Sequence, residues 1–435
     1  MKQRPPPSDA PRRAPLDAPR RPAIAAAVFG NALEVFDFIA YGTFAVMIGR
    51  VFFPAHDPFI SLLLSVSTFG IGFVTRPLGA FLVGHFADRR GRSAGMMVSL
   101  GLMGLGSLMI AVLPGYRSIG LAAPILLVLA RLIQGLAWGA EAGPATTYLL
   151  ENAPPHRAGY FASWQSASQM LAVLAAGLLG YGADKVLGTT AMEEWGWRIP
   201  FALGVLVVPI GMLLRRGLHE APIEAPGPGA GRLALLLSGG MLPLLCGLML
   251  VIAGTVSQYF LNYITTYALT VLHLPTGLAL LGTVVAGVFG TAAALGAGAL
   301  SDRIGRLPLI VWPRLALALG IAPMLWLLQA HPGAWMFALV TAVIAVLQVG
   351  SFAAAIVVLC ELFPPAVRAT GFGTLYALGI SVFGGTAQII FATLIHWTGD
   401  PVSPAWYLAV VNLAAVLAAF GLRKSLARVS VSSGP

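Results

Sequence analysis

Charged residues are scarce in this chain. Asp, Glu, Lys and Arg make up only 10% of its 435 residues, whereas 58% are hydrophobic, and a water-soluble domain carries about 25% charged residues. This shortage excludes a water-soluble globule. Long apolar stretches with short charged gaps between them predict a polytopic helical membrane protein, because each span needs about 20 apolar residues to cross about 30 Å of hydrocarbon. The runs do not alternate polar and apolar positions, which excludes a transmembrane β-barrel.

The groups that catalysis and metal binding need are also few. The two cysteines, Cys246 and Cys360, lie within apolar runs, where a lone thiol is usually a small buried hydrophobe, and no disulfide framework is predicted. The seven histidines occur singly, with no second histidine or cysteine at ligand spacing. The Gly-Lys-Ser/Thr loop that binds nucleotide phosphates is absent from the sequence. We therefore expect no enzyme activity, no metal, no cofactor and no use of ATP.

The basic residues outside the apolar runs are unevenly placed. Nearly all of them lie near the two ends of the chain or in alternate gaps, and only Arg50, Arg117, Lys185 and Arg198 lie in the other gaps. In a soluble chain the net charge of +10 would suggest nucleic-acid binding, but in a membrane protein this asymmetry sets the orientation. The positive-inside rule predicts that both termini are cytoplasmic and that the number of spans is even. We expect no nucleic-acid partner.

Twelve apolar runs are long enough to be predicted as transmembrane helices, so the fold class is an all-α membrane protein embedded in the lipid bilayer. The predicted spans lie at about 23–48, 60–86, 94–113, 119–151, 160–182, 200–217, 235–268, 275–300, 307–328, 333–360, 370–395 and 404–424.

Proline and glycine mark the predicted domain boundaries. Residues 1–22 carry prolines among arginines without an apolar core, which predicts a disordered basic cytoplasmic tail rather than a signal peptide. Residues 219–233 can hold neither helix nor core and are predicted to be a cytoplasmic linker. Six-helix bundles are predicted at 23–218 and 234–425, followed by a cytoplasmic tail at 426–435.

Two charged motifs occur twice in the chain. The motif around Asp88 recurs around Asp302, 214 residues later, and the motif that begins at Glu151 recurs at Glu361, 210 residues later. The chain therefore consists of two homologous halves. A parallel repeat in so apolar a chain predicts a transporter whose six-helix halves are related by an axis normal to the membrane. The copies of the first motif are Gly84…Asp88-Arg89-Arg90-Gly91-Arg92 and Gly298…Asp302-Arg303-Ile304-Gly305-Arg306.

Three acids lie deep within predicted spans: Glu34 and Asp37 in the first and Glu141 in the fourth. A charge at the bilayer centre costs about 2.5–3.5 kcal/mol, so such residues usually mark a wet pathway or a partner. Glu34 and Asp37 are three residues apart and project from one helix face, where mutual repulsion and poor hydration both favour protonation. We predict proton coupling at Asp37, with Glu34 and Glu141 as further sites. The alternative is a permanent ion pair with Arg131 or Arg76.

Arginines and neutral polar residues supply the predicted substrate site. Arg131 offers a planar fork of donors that matches a carboxylate and cannot be deprotonated, whereas Arg76, next to Pro77, and Arg314 are interpreted as structural. A polar stripe on the fifth span and another on the seventh either line a cavity or bond neighbouring helices. The predicted substrate-binding residues are Arg131, Gln134, Ser163, Ser166, Gln169, Gln258 and Asn262.

The repeated charged loops are predicted to form a cytoplasmic gate. An aspartate near a helix N-terminus is favoured by the helix dipole, and arginines can bridge to acids on neighbouring loops, so these contacts would hold the inner side closed. The alternative is that the charges only fix the topology. The predicted gating residues are Asp88, Arg89, Arg92, Asp302, Arg303 and Arg306.

The motifs of residues 25–425 resemble those of the major facilitator superfamily. Both loop motifs and the segment 131–135 match its signatures, and 30–38, 76–79 and 196–201 are similar to its metabolite:proton symporters. The segments 163–169 and 194–198 resemble the citrate and tricarballylate members. The resemblance implies a twelve-helix transporter of the bacterial cytoplasmic membrane.

By that resemblance we expect a monomer that imports a small organic carboxylate with protons, with a tricarboxylate such as citrate or tricarballylate as the substrate. Alternatives that stay open are transport of a dicarboxylate, shikimate or a betaine, an efflux antiporter, an uncoupled facilitator and a transporter-like sensor. A betaine would need an aromatic cage and a carboxylate, for which the candidates are Trp138, Tyr259, Tyr263 and Glu141.

Overall fold

The computed structural model describes residues 21–90, 92–138, 142–151, 153–154, 156–215, 240–364 and 367–423, which are helical and contain no strand. The predicted linker and the predicted C-terminal tail lie outside these residues. The first helix begins at Arg21, so it includes the last two residues of the predicted N-terminal tail.

The first half is built from eleven described helices and a short 3-10 turn. Their bounds are α1 Arg21–Thr43, α2 Ala45–Phe52, α3 Pro58–Val74, α4 Arg76–Arg90, α5 Arg92–Val112, α6 Tyr116–Ile119, α7 Ala122–Trp138, α8 Ala142–Glu151, α9 Ala158–Leu187, α10 Thr189–Glu194, the 3-10 turn Gly196–Arg198 and α11 Ile199–Arg215.

The second half has longer and less interrupted helices in its described residues. Their bounds are α12 Met241–Thr270, α13 Thr276–Ile304, α14 Arg306–Ala330, α15 Ala334–Glu361, α16 Arg368–Gly379, a π-helical turn Ile380–Gly384, α17 Gly385–Thr398 and α18 Ser403–Gly421.

Together these helices give the twelve predicted spans. Eight described helical segments are long and apolar enough to cross a membrane, and the bent pair α1 and α2 makes a ninth. The shorter helices α5, α7 and α11 supply the other three. The prediction of an all-α fold with twelve transmembrane helices is therefore confirmed.

Several spans are bent or broken where the sequence predicts single helices. The first span bends by 64° between α1 and α2. The second changes helix at Thr75, because the ring of Pro77 clashes with the carbonyl of Phe73 in an unbroken α-helix. The eleventh contains the π-helical turn, a feature that often marks functional positions. The predicted run 119–151 comprises α7 and α8, with 139–141 outside the described residues.

The two halves meet along α9 and α13, whose backbones approach closely. A methyl group on Gly287 would come within 2.5 Å of Leu174 Cα, and one on Gly177 within 2.7 Å of Val284 N. A larger residue at either position would force the helices apart. The small residues at this contact therefore set the distance between the halves and the width of the space that the halves enclose.

Candidate functional site

A small cavity lies between the halves and draws its walls from both. Its volume is about 40 Å³, which is room for about three waters. Among the described residues its polar lining is neutral. The lining residues are Val35, Phe38, Ile39, Trp138, Ser166, Gln169, Gly254, Thr255, Gln258, Tyr259, Asn262, Val349, Phe352, Tyr376 and Ile380.

Four of the predicted substrate-binding residues line this cavity: Ser166, Gln169, Gln258 and Asn262. The amide of Gln169 donates to the Tyr376 hydroxyl of the other half at 3.3 Å. The amide of Gln258 lies 3.5 Å from the Asn262 side-chain oxygen. The cavity can therefore present amide and hydroxyl groups from both halves to one ligand.

Ser163 occupies a different place from Ser166 and Gln169, although the three residues follow one another at three-residue spacing on the fifth span. Its hydroxyl donates to the Tyr160 carbonyl at 2.7 Å, and a methyl group on Gly298 would come within 2.4 Å of it. Ser163 is thus a packing residue between α9 and α13 in this conformation.

Arg131 and Gln134 join Asp37 in a buried polar network within the first half. Arg131 Nη1 donates to Gln134 Oε1 at 2.7 Å, and Gln134 Nε2 donates to Ser107 Oγ at 3.0 Å. Ser107 Oγ in turn donates to Asp37 Oδ2. The second carboxylate oxygen, Oδ1, has no hydrogen-bond partner among the described residues. The network therefore connects a fixed cation to a carboxyl group that retains a free oxygen.

One aromatic ring separates this network from the cavity. Phe38 lines the cavity, and its ring centroid lies 4.3 Å from the Arg131 guanidinium carbon. Arg131 is fully buried and Asp37 is 2% exposed. Neither of them lines the cavity. A ligand in the cavity would therefore interact with the charge of Arg131 across the Phe38 ring and would not contact the guanidinium directly.

Of the other two predicted proton sites, Glu34 and Glu141, only Glu34 lies among the described residues. Glu34 lies on α1 with 7% of its surface exposed, one residue before the cavity-lining Val35. Glu141 lies outside the described residues.

Arg76 lies behind the cavity wall, among aromatic rings. Its guanidinium carbon lies 3.5 Å from the ring centroid of Trp138, 3.7 Å from that of Phe73 and 4.7 Å from that of Phe38. The Tyr259 phenol of the other half is a polar neighbour of this guanidinium. Sequence reasoning interpreted Arg76 as a structural residue. The sequence signal that could have pointed to the cavity is the position of this arginine within an apolar span, next to the helix-breaking Pro77.

Two residues of the candidate site were not singled out by sequence reasoning at all. Ser107 completes the link from Gln134 to Asp37, and Tyr376 joins Gln169 across the cavity. A serine or tyrosine in an apolar run is common in packed membrane helices. Neither residue carries a sequence signal that separates it from packing.

At the end of the molecule that is predicted to face the cytoplasm, Asp302 bridges the halves. Its carboxylate accepts hydrogen bonds from Gly159 N at 2.7 Å and Tyr160 N at 3.0 Å, the first turn of α9. Arg306 forms an ion pair with Glu361 within the second half. The Arg368 guanidinium lies 3.7 Å from Glu151 of the first half.

The remaining gate residues make no described contact between the halves. Arg89 and Arg303 are exposed. Asp88 lies in the last turn of α4 and Arg92 begins α5, and their side chains are outside the described part of the structure.

The opposite end is closed by a second set of contacts, which sequence reasoning did not predict. Glu193 accepts from Arg50 at 2.7 Å within the first half and from the Thr276 hydroxyl of the second half at 2.8 Å. Phe59 and His396 stack across the halves with ring centroids 3.7 Å apart. Because contacts join the halves at both ends, the structure is an occluded conformation.

Comparisons with known proteins agree with this architecture. Residues 27–384 match the model of the Major Facilitator Superfamily. A citrate-proton symporter of Salmonella typhi is 38% identical over 93% of this chain and 94% of its own, and the alpha-ketoglutarate permease of Escherichia coli K12 is 34% identical over 92% and 93%. A D-xylose-proton symporter of known structure covers 93% of this chain and 97% of its own, with a TM-score of 0.76 and 18% identity.

Proposed function

The chain belongs to the major facilitator superfamily, and we propose that it imports a small organic carboxylate together with protons by alternating access. A tricarboxylate such as citrate or tricarballylate is the proposed substrate. The observation that carries this proposal is the buried Asp37 carboxyl group, linked through Ser107 and Gln134 to the fixed charge of Arg131 beside the central cavity.

Proton coupling follows from the chemistry of such a substrate. An anion that enters against an inside-negative potential of 100 mV pays roughly 2.3 kcal/mol per charge. Protons that enter with it cancel that charge directly. A carboxyl group that alternates between protonated and ionised forms can carry a proton, and Asp37 has a hydroxyl donor for its ionised form.

The roles proposed within the site follow the placement of each residue. Ser166, Gln169, Gln258 and Asn262 are proposed to hydrogen-bond the substrate, since all four line the cavity. Asp37 is proposed as the main proton carrier, with Glu34 and Glu141 as further candidates.

The three other predicted substrate-binding residues do not line the cavity and would need a change of conformation to contact a ligand. Arg131 and Gln134 are proposed to act on Asp37 in the occluded state, and direct contact of Arg131 with substrate would require Phe38 to move. Ser163 is proposed to contact substrate only when α9 and α13 separate.

The surroundings of the protein are proposed from its charge distribution. Basic residues concentrate in alternate gaps and near both ends of the chain, which supports cytoplasmic termini under the positive-inside rule. We propose that the protein is a monomer in the bacterial cytoplasmic membrane.

The test is uptake into vesicles that contain the purified protein, driven by an acid-outside gradient, for citrate, tricarballylate, 2-oxoglutarate, shikimate and betaine. We expect saturable tricarboxylate uptake that a protonophore abolishes. Outward flux only would support the efflux antiporter, and protonophore-insensitive uptake would support an uncoupled facilitator. Uptake of betaine alone would reject the carboxylate.

A further inference from the structure

A polyanionic substrate needs a cation, yet the described lining of the cavity contains none. Neutral hydroxyl and amide groups can orient a carboxylate, but they supply weaker hydrogen bonds than an ionised donor does. The cations adjoining the wall in the described residues are Arg131 and Arg76, both stacked on the cavity-lining Phe38. One of these arginines must therefore supply the charge that a polycarboxylate requires.

The two arginines differ in how their donors are used. Arg131 donates from Nη1 to Gln134 at 2.7 Å and from Nη2 to the Phe69 carbonyl at 3.5 Å, which leaves only its Nε without a partner among the described residues. Arg76 is 7% exposed, and its Nε and Nη2 are buried without a hydrogen-bond partner among the described residues. These two nitrogens form one edge of the guanidinium, the edge that a carboxylate binds in two parallel hydrogen bonds. Arg76 therefore has two adjacent donors that could bind a carboxylate and that no described residue occupies.

Aromatic rings fix the plane of this guanidinium while leaving that edge free. Trp138 and Phe73 contact its faces at 3.5 and 3.7 Å, and stacking of this kind leaves the in-plane donors available. Tyr259, the polar neighbour of Arg76, belongs to the other half and packs against Phe73 with ring centroids 5.6 Å apart. Separation of the halves would withdraw Tyr259 and open the guanidinium to the cavity.

We propose that Arg76 binds a carboxylate of the substrate when the halves separate. This inference rests on the proposed function and adds a substrate-binding residue to that site. The rings of Trp138, Phe73 and Phe38 hold its guanidinium in place for that contact.

The test compares Arg76→Gln with Arg314→Gln in tricarballylate uptake, at equal protein levels in vesicles. Arg314 is a matched control: it is 1% exposed, its Nε and Nη2 are also without partners among the described residues, and it bonds Asn412 away from the cavity. We expect Arg76→Gln to raise the KM at least about tenfold, the loss expected for hydrogen bonds to a charged group. Arg314→Gln should leave the KM unchanged, whatever it does to protein yield.

Two further readouts separate binding from packing. The dependence of uptake on pH should be the same in Arg76→Gln as in the wild type, because proton coupling is assigned to other residues.

Arg76→Lys keeps the positive charge but loses the planar pair of donors, so its KM should lie between those of the wild type and Arg76→Gln. It is the decisive variant if Arg76→Gln does not reach the membrane. An unchanged KM in the Arg76 variants, with a lower maximal rate alone, would overturn the inference and leave the proposed function intact. A wild type that transports no polycarboxylate would overturn both.

Discussion

Asp37 is the proposed proton carrier, and its surroundings can accommodate either protonation state. The ionised carboxylate accepts from the Ser107 hydroxyl, which Gln134 links to Arg131. The protonated carboxyl group avoids the cost of a buried charge. Gly204 of α11 provides the space, since a methyl group there would come within 2.5 Å of Asp37 Oδ1.

We expect Asp37→Asn to abolish accumulation of substrate driven by an acid-outside gradient, because asparagine cannot bind and release a proton. Exchange of pre-loaded substrate should persist in part, since the cavity lining is intact. The measurement is uptake and counterflow in the same vesicles. Glu34→Gln is the matched control on the same helix, and accumulation lost only in that variant would transfer the role to Glu34. If neither substitution affects accumulation, the role passes to Glu141.

At the scale of elements, α9 and α13 each place an acid beside the first turn of the other helix. Asp302, in the last turn of α13, accepts from the first turn of α9. Asp184, near the end of α9, lies so close to the start of α13 that a methyl group on Gly277 would come within 2.6 Å of Asp184 Oδ2. A carboxylate at a helix N-terminus is stabilised by the helix dipole and by unpaired N–H groups. Each helix thus carries an acid that favours closure at one end of the molecule.

Alternating access requires one of these ends to open while the other stays closed. Asp302→Asn should therefore weaken the cytoplasmic closure, and turnover should fall at normal membrane levels. The measurement is uptake together with alkylation, from the cytoplasmic side, of a cysteine placed at the cavity-lining Ser166, which should become faster. Asp88→Asn, at the equivalent position of the first half, is expected to slow turnover as well.

Asp57→Asn is the control for the closure experiment. Asp57 caps α3 by accepting from Phe59 N at 2.8 Å, and Phe59 belongs to the contacts at the opposite end of the molecule. Its loss therefore removes a helix cap without weakening the contacts of Asp302. We expect that alkylation at position 166 from the cytoplasmic side does not become faster in that variant. Equal effects of Asp57→Asn and Asp302→Asn would show that helix capping, and not closure, sets the rate.

At the scale of the whole molecule, orientation decides which closure faces the cytoplasm. The distribution of basic residues predicts cytoplasmic termini. Single cysteines at Ser8 and Ser432, in a background without Cys246 and Cys360, should react with a membrane-impermeant maleimide only after cells are permeabilised.

A cysteine at Ser118 supplies the opposite control. This residue is exposed on α6, in the gap between the third and fourth spans, and should react in intact cells. Labelling of Ser8 or Ser432 positions in intact cells would reverse the predicted orientation and, with it, the assignment of Asp302 to the inner side.

The sequence alone determined the class, the repeat and the family of this protein. Hydropathy identifies spans because lipid cannot solvate unpaired backbone groups, so each crossing needs its own apolar helix. The sequence also pointed to the buried acids and arginines, since charges inside spans are costly and rare. It did not predict the bend at Phe44 or the π-helical turn, which depend on packing against neighbouring helices.

Only the tertiary structure decided which polar residues meet. Asp37 and Arg131 lie on different helices and are joined through Ser107, a residue with no sequence signal of its own. Ser163 and Ser166 share a spacing, yet one lies between helices and the other lines the cavity, because α13 covers only part of the α9 surface. Arg76 lies beside the cavity because three aromatic rings from separate helices surround its guanidinium, and two of its donors have no partner among the described residues. Such contacts arise from the angles and distances between helices, which helical periodicity does not encode.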